Sequence, residues 1–173
     1  MRGKPHHLSA EVFSGTVRVV SLTLCTAERA PVFGEPGRAQ VVVGRVRRAH
    51  ERGSRILGYC VMPDHLHVVA VLSNQLPGEL VRSVKAGTTA TFRRQGFLGD
   101  VWQRGYYDRV IRRTDGMLKT LRYVLLNPVR RGLCRRWTEW PFSGSLEWPQ
   151  LDDGILDDRT LEDAVWLDVG AGR

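Results

Sequence analysis

The sequence predicts an α+β fold in which a ferredoxin-like antiparallel sheet has its helices packed on one face. The first observation behind this prediction is that strand-like and helix-like patterns follow one another in the order β-α-β-β-α-β-α. The second is the length of 173 residues, which suits a single domain. The third is the composition, because 42% hydrophobic and 25% charged residues are the ordinary balance of a globular protein with a buried core.

The first strand and the first helix are predicted between residues 13 and 49. The segment 13–26 (FSGTVRVVSLTLCT) is rich in β-branched residues and partly alternates between apolar and polar positions, as strands do. A loop with two prolines follows it. A helix is predicted next, because five apolar residues recur at helical spacing: Ala39, Val42, Val43, Val46 and Ala49.

Two more strands and a second helix are predicted in the middle of the chain. The segment 56–72 (ILGYCVMPDHLHVVAVL) contains two strand-like runs that are separated by a turn at Pro63 and Asp64. The helix that follows ends before Gly96. Its apolar face is formed by Leu80, Val81, Val84 and Thr88.

An extended segment and a third helix complete the predicted order. The extended segment covers residues 100–113 (DVWQRGYYDRVIRR). Thr114 or Asp115 can cap the third helix, which we expect to run to Leu126. Pro128 discourages further helix, because the residue before a proline avoids the α region.

Charge divides the chain into two predicted domains. Residues 137–173 contain nine acidic and two basic residues, whereas residues 1–136 carry a formal charge of +15 within a chain whose total is +8. We therefore predict a basic body over 1–136 and an acidic C-terminal extension over 137–173 with partial order at best. A body of this charge usually binds a polyanion, and nucleic acid is the first partner to consider. The alternative is an arginine-rich composition without a polyanionic partner.

Several classes of protein are disfavoured by simple patterns. No run of 18 apolar residues is present, so we expect no membrane-spanning helix. The start of the chain has basic residues but no apolar segment, which argues against a secretory signal. Three widely spaced cysteines suit a reducing compartment better than a disulfide framework, so the sequence predicts a cytoplasmic protein.

The sharpest local motif is His65-Leu66-His67 within a predicted strand. Side chains two residues apart in a strand lie on the same face, so both imidazoles point the same way. Two neutral imidazoles on one face can bind one divalent ion. Two histidines can also lie on a solvent-exposed strand face without binding a metal, so the motif alone leaves both interpretations open.

The third helix supplies a second candidate group. Tyr123 and Asn127 lie one turn apart on a face that Gly116 and Thr120 keep free of bulk. A phenol on this face is accessible to a large substrate. The alternative is a surface tyrosine with an asparagine that ends its helix. The face opposite to them is the apolar stripe, which consists of Met117, Leu118, Leu121, Val124 and Leu125.

These motifs together resemble the REP-associated tyrosine transposases, which are single-tyrosine HUH transposases. The resemblance lies in GYCVMPDHLHVV, a helix containing Lys85, VWQRGYYDRVIRR, LRYVLLNPVRRGL and WPFS, which occur in this order across residues 13–145. It implies the HUH endonuclease fold and identifies residues 1–136 as the catalytic domain. It also implies cleavage and rejoining of single-stranded DNA beside hairpins through a 5′-phosphotyrosine intermediate.

The resemblance assigns roles to particular residues. His65 and His67 match the two metal-binding histidines, and Tyr123 matches the nucleophile. Asn127 stands where relatives often have Gln as the third metal ligand, and its carbonyl oxygen suits Mg²⁺ or Mn²⁺. Tyr107 is the main rival nucleophile. It lies in an extended segment with no candidate ligand one helical turn away.

DNA contacts and partners follow from the same resemblance. The implied partner is hairpin-containing, REP-like single-stranded DNA, bound by a monomer or a homodimer. Trp102 or Tyr106 can stack on a base. The candidate phosphate contacts are Lys85, Arg104, Arg109, Arg112 and Arg130, with Arg131 next to the last of them.

Two other functions remain open at the level of sequence. The first is a non-catalytic or domesticated DNA- or RNA-binding module on the same scaffold, which would form no covalent tyrosine adduct. The second is a structural zinc protein that uses Cys60 with the histidines. Counting residues places Cys60 on the strand face opposite to His65, and no paired thiols are present, which argues against zinc.

Overall fold

A five-stranded antiparallel sheet forms the centre of the computed structural model, which describes residues 17–73, 75–151, 163, 165–166 and 169. The strands are β1 (Val17–Cys25), β2 (Arg55–Met62), β3 (His65–Ser73), β4 (Tyr107–Ile111) and β5 (Ser143–Gly144), in the spatial order β4-β1-β3-β2-β5. The helices are α1 (Pro36–Glu51), α2 (Pro77–Arg94), α3 (Met117–Leu125) and α4 (Asn127–Arg130). The predicted α+β class with an antiparallel sheet is confirmed. The predicted start of the first strand at Phe13 lies outside the described residues.

None of the helices in the described ranges is long and apolar enough to cross a membrane.

Helices cover both faces of the sheet, which corrects the prediction that they share one face. α1 and α2 pack on the face that carries Leu22 and Val68, whereas α3 packs on the face that carries Leu57 and Val69. Strands β2 and β3 are therefore buried at almost every position. Their nearly continuous apolar sequence reflects burial on both faces, because a strand with one solvent-exposed face alternates between apolar and polar residues.

The close packing of α3 against the sheet depends on Gly58. A β-bulge between Ile56 and Gly58 interrupts the register of β2 with β3. A Cβ atom at Gly58 would lie 2.1 Å from Cδ1 of Leu121, which is fully buried. The absence of a side chain at Gly58 thus lets α3 approach the strands closely, and this approach fixes the position of Tyr123 above the sheet.

The ends of α3 differ from the prediction. Gly116, at φ 75°, is the residue before the helix, so neither Thr114 nor Asp115 caps it. A carboxylate oxygen of Asp115 instead accepts a hydrogen bond from the backbone N–H of Arg112. α3 ends at Leu125, and Pro128 lies in the first turn of α4, where its missing N–H costs nothing.

Residues 137–151, which the sequence analysis placed in an extension with partial order, pack against the body of the protein. β5 pairs with Tyr59 and Cys60 of β2 and adds a fifth strand to the sheet. The indole N–H of Trp140 donates to the carbonyl of Val61 at 2.9 Å. Trp137 and Leu151 are buried with α3. The division of the chain into a catalytic domain over 1–136 and an acidic extension over 137–173 stays a prediction.

Candidate active site

The two histidines of β3 converge at one end of the sheet. Their Nε2 atoms lie 3.0 Å apart, and the ring planes are nearly perpendicular. Both side chains lie on the face that α3 covers, as the two-residue spacing predicted. Such convergence places two lone-pair-bearing nitrogens around a single point.

Each imidazole is oriented through its other nitrogen. Nδ1 of His65 donates to Oδ1 of Asp64 at 2.6 Å, because a carboxylate can only accept. Nδ1 of His67 lies 2.8 Å from Oγ1 of Thr23, its cross-strand neighbour on β1. A hydroxyl can donate or accept, so Thr23 tolerates either tautomer of His67. Metal-binding histidines are commonly held in this way by a carboxylate or another polar group.

Burial keeps both imidazoles neutral. Burial is the largest of the causes that lower the pKa of His67 to about 3, and the neighbouring His65 contributes to the same shift. Burial also lowers the pKa of His65, although the hydrogen bond and charge of Asp64 oppose this change. Burial alone would raise the pKa of Asp64, but the contacts with His65 and the charge of Arg29 bring it below its ordinary value. At neutral pH the pair is therefore in the form that binds metal.

The histidine pair fits a divalent ion. Two ligands of an octahedral ion at about 2.1 Å lie roughly 3 Å apart, which matches the separation of the two Nε2 atoms. Among the described residues no group of three or more His, Cys, Asp and Glu side chains is arranged to bind a metal. A third protein ligand would therefore be of another type, and Asn127 lines the same pocket.

Tyr123 faces this pair from α3. It is 55% exposed although the apolar stripe of its helix is buried, which agrees with the predicted division of the helix into two faces. Its ring centroid lies 6.4 Å from that of His67. The guanidinium carbon of Arg130 lies 3.7 Å from the centroid of the Tyr123 ring, within the range of a cation–π interaction.

Asn127 connects α3, α4 and the pocket. Its side-chain N–H groups donate to the carbonyls of Tyr123 at 3.2 Å and Val124 at 3.3 Å, so it satisfies the end of α3. Its Oδ1 accepts from Arg130 at 3.0 Å. Asn127 is 6% exposed, so it is buried where the sequence predicted an accessible face. A carbonyl oxygen has two lone pairs, and Arg130 uses one of them.

These groups line one pocket of about 350 Å³. A guanidinium nitrogen of Arg29 lies 3.2 Å from a carboxylate oxygen of Asp64 beside this pocket, so the two residues form an ion pair. The backbone of Arg29 is in the left-handed region, at φ 59°. A non-glycine residue in this region is strained and needs support from its surroundings. The lining residues are Thr23, Arg29, His65, His67, Tyr123, Asn127, Arg130 and Arg131.

The supporting roles of Thr23, Arg29 and Asp64 were not predicted from the sequence. Asp64 carried a signal, because a carboxylate directly before a candidate ligand histidine is a natural orienting group. Thr23 and Arg29 carried none, since their places depend on strand register and on an unusual backbone turn.

Two candidate DNA contacts line a separate open groove of about 650 Å³ beside α2. Arg104 is exposed there. Lys85 is partly buried, and its ammonium donates to the carbonyls of Gln103 and Gly105. Trp102 packs on Phe33, with ring centroids 4.9 Å apart. The role of Lys85 and Arg104 in DNA binding stays a prediction, and Lys85 also holds the loop that forms the groove.

The other candidate contacts lie near β4 and the pocket. Arg109 is exposed and forms an ion pair with Asp115 at 3.2 Å. Arg112 is exposed, and Arg130 belongs to the pocket. Tyr107 pairs with Thr23 across β1 and β4, so it lies on the face of the histidines but is not among the residues that line the pocket.

The position of Cys60 corrects one argument against a zinc site. Cys60 lies directly opposite His67 in the antiparallel register and therefore on the same face as the histidines. The turn between β2 and β3 resets the alternation that residue counting assumed. Burial raises the pKa of the Cys60 thiol well above its ordinary value, which disfavours the metal-binding thiolate.

A family comparison identifies a match over residues 16–124, to the family described as IS200-like transposases. The chain is 32% identical to an uncharacterised protein of Haemophilus influenzae, over 43% of this chain and 54% of that protein. It is 25% identical to a REP-associated tyrosine transposase of Escherichia coli K12, over 57% of this chain and 58% of that protein. The chain thus spans just over half the length of these curated relatives.

A solved structure shares the fold. It is that of a REP-associated tyrosine transposase bound to a REP hairpin, with a TM-score of 0.61 and 20% identity. The match covers 83% of this chain and 82% of that one. At this identity the likeness concerns the fold. Together with the family match it confirms the resemblance that the sequence motifs indicated.

Proposed function

The chain belongs to the IS200-like transposase family, and from that premise we propose that it nicks and rejoins single-stranded DNA beside hairpins through a 5′-phosphotyrosine at Tyr123. The observation that carries the proposal is the exposed phenol of Tyr123 in the same pocket as the converging His65 and His67. A nucleophile beside a pair of neutral imidazoles and several guanidiniums suits attack on a phosphodiester.

The proposed reaction exchanges one phosphodiester bond for another. The Tyr123 oxygen attacks the scissile phosphorus, and the phenol proton passes to water. A bond forms between this oxygen and phosphorus, and the bond to the 3′ oxygen breaks. The 3′ oxygen then takes up a proton and leaves as a 3′-OH. Because the phosphodiester energy is kept, a 3′-OH can attack the phosphotyrosine and rejoin the strand without a nucleotide cofactor.

His65 and His67, with Asn127 as the candidate third ligand, would hold Mg²⁺ or Mn²⁺ in this pocket. When bound, the ion supplies charge to polarise the scissile phosphate and to stabilise the leaving oxygen. Asp64 and Thr23 keep the two imidazoles aimed at a common point.

The guanidinium groups of the pocket can bind the phosphate on which Tyr123 would act. Arg29 is paired with Asp64, whereas Arg130 and Arg131 are exposed at the rim and can bind phosphate oxygens. Arg130 also holds the Tyr123 ring and Oδ1 of Asn127. It therefore orders the nucleophile and the candidate ligand with one side chain.

The proposed DNA surface extends from the pocket to the groove with Lys85 and Arg104 and to Arg109 and Arg112 on the edge strand. The candidate substrate is REP-like hairpin DNA, bound by a monomer or a homodimer.

The second candidate function is a non-catalytic nucleic-acid-binding module. It is favoured by the hydrogen bond from Arg130 to Oδ1 of Asn127, because this bond uses one lone pair of the candidate third metal ligand.

The direct test uses a single-stranded oligonucleotide with a hairpin and a 3′ label. We expect Mn²⁺ or Mg²⁺ to permit formation of a labelled protein–DNA adduct that survives denaturation, together with a shorter strand that ends in a 3′-OH. DNA binding without either product in the presence of both ions would contradict the proposal and favour the non-catalytic module.

Arg130 is expected to contribute to catalysis through its contacts with Tyr123 and Asn127 as well as through its charge. Replacement by Gln removes the cation from the Tyr123 ring and the donor to Asn127, so we expect cleavage to fall about 10- to 100-fold through misplacement of the nucleophile. Arg130→Lys should recover little, because an ammonium lacks the planar fork of donors. Single-turnover cleavage at saturating protein separates this effect from DNA affinity.

Arg131→Gln is the matched control for Arg130→Gln. Arg131 lines the same pocket and carries the same charge, but the hydrogen bond to Asn127 and the ring contact belong to Arg130. Equal losses of saturated cleavage rate in the two variants would show that Arg130 acts through charge alone.

A further inference from the structure

Four arginines form a cluster on the side of the sheet opposite to the candidate active site. α1 contributes Arg45 and Arg48, Arg52 directly follows that helix, and α2 contributes Arg94. Both helices pack on the sheet face that carries Leu22 and Val68, whereas the histidines lie on the other face. None of the four forms an ion pair with any described residue.

Two of these cations are held close together by one hydroxyl. Oγ1 of Thr91 accepts from Arg45 at 2.5 Å and from Arg94 at 3.2 Å, and it donates its own proton to the carbonyl of Gly87 at 3.1 Å. Both lone pairs of the hydroxyl are thus occupied by guanidiniums. Like charges gathered in this way repel one another, and a bound anion would relieve the repulsion.

Gly87 makes room for this arrangement. A Cβ atom at Gly87 would lie 2.8 Å from Cδ of Arg45 and 3.0 Å from its Nε. The side chain of Arg45 therefore lies directly across α2. Glycine in the interior of a helix lowers its stability relative to alanine, and here it gives space to a cation. Burial lowers the pKa of Arg45, and the charges of Arg48, Arg94 and Arg52 add to this effect.

The shape of the cluster points to phosphates along a duplex. Arg45, Arg48 and Arg52 are spaced three and four residues apart, so they share one side of α1 and its C-terminal end over about 10 Å. Arg48, Arg52 and Arg94 are exposed on, or directly after, two helices that pack against each other. Single-strand sites typically add aromatic side chains on which bases stack, whereas cations spaced along a helix suit the regular phosphates of a duplex. Because both helices turn their apolar faces inward onto the sheet, they lack the free apolar face of a membrane-bound helix.

We propose that Arg45, Arg48, Arg52 and Arg94 form a second nucleic-acid site that binds the phosphate backbone of duplex DNA without reading its sequence. The site is independent of Tyr123 chemistry, since it lies on the other side of the sheet. It would let the protein hold a duplex while the pocket on the opposite face holds a single strand.

The test compares two double variants with the same reduction in charge. Arg48→Gln/Arg52→Gln removes two exposed cluster residues, and Arg135→Gln/Arg136→Gln removes two exposed arginines elsewhere. Binding of a 25-base-pair duplex is measured by fluorescence anisotropy from 50 to 200 mM salt. We expect the affinity of the cluster variant to fall about tenfold or more, and its plot of log K against log salt to flatten by about 0.9 for each phosphate that the variant no longer neutralises. The affinity of the control variant should fall by less than about twofold.

Cleavage of a single-stranded hairpin oligonucleotide by the same proteins separates this proposal from the proposed function. The cluster variant should cleave within about twofold of the wild type at saturating DNA. Equal reductions of duplex affinity in both double variants would overturn the proposal, because affinity would then follow net charge. Unchanged duplex affinity in the cluster variant would also overturn the proposal. If this variant in addition no longer bound phosphatidylserine vesicles, a membrane surface would be identified as the partner.

Discussion

Tyr123→Phe is expected to abolish the covalent protein–DNA adduct completely. The substitution removes the attacking oxygen and keeps the ring, so the contacts of the ring with His67 and Arg130 persist. Because Tyr123 is exposed, the free energy of unfolding should change by less than about 0.5 kcal/mol. Adduct formation is measured on a denaturing gel with the strand downstream of the cleavage site labelled.

Tyr107→Phe is the matched control for this experiment. Tyr107 lies on the same face of the sheet, opposite Thr23, yet it does not line the pocket. We expect this variant to form the adduct. Thermal melting and DNA binding should be close to wild type for Tyr123→Phe, so that absence of the adduct reports chemistry. An adduct that survives Tyr123→Phe and disappears in Tyr107→Phe would assign the nucleophile to β4 instead of α3.

The parts of this site that the sequence predicted depend on local geometry. The alternation of a strand places His65 and His67 on one face whatever the rest of the chain does. The repeat of a helix likewise separates Tyr123 from the apolar stripe. Both relations hold over a few residues, so they follow from the order of the residues within each element.

The parts that were missed depend on how elements meet. The place of Thr23 beside His67 follows from the register of β1 with β3, and that of Cys60 follows from the turn between β2 and β3. The face on which α3 packs is tied to the contact of Leu121 with Gly58, which are far apart in sequence. A pattern within one segment carries no information on these contacts, which explains why the helices were predicted on one face.

The C-terminal residues illustrate the same limit. Composition separates the acidic residues after 136 from the basic body, yet Trp140 and β5 are bound to β2 by hydrogen bonds. Glu147 forms an ion pair with Arg55 at 2.6 Å. The change in charge at residue 136 therefore does not separate residues 137–151 from the sheet.

His65→Ala should separate metal binding from DNA binding. The variant removes one of the two converging nitrogens, and a metal site without a ligand of this kind binds its ion far more weakly. The charge that the ion supplies to a phosphoryl group is worth several kcal/mol, so we expect cleavage to fall about 1,000-fold or more. Hairpin DNA affinity should change little, since phosphate contacts by arginine and lysine provide most of it.

The experiment requires a readout of the metal itself. Mn²⁺ binding to the full chain, followed by electron paramagnetic resonance, should be strong in the wild type and weak in both His65→Ala and His67→Ala. Thr23→Val should have a smaller effect, of about 10- to 100-fold on metal affinity, because it removes only the support of Nδ1 of His67. Since His65 is buried, melting curves must first show that each variant is folded. Folded variants that bind Mn²⁺ and cleave DNA as well as the wild type would place the metal elsewhere and leave the convergence of the two imidazoles without a catalytic role.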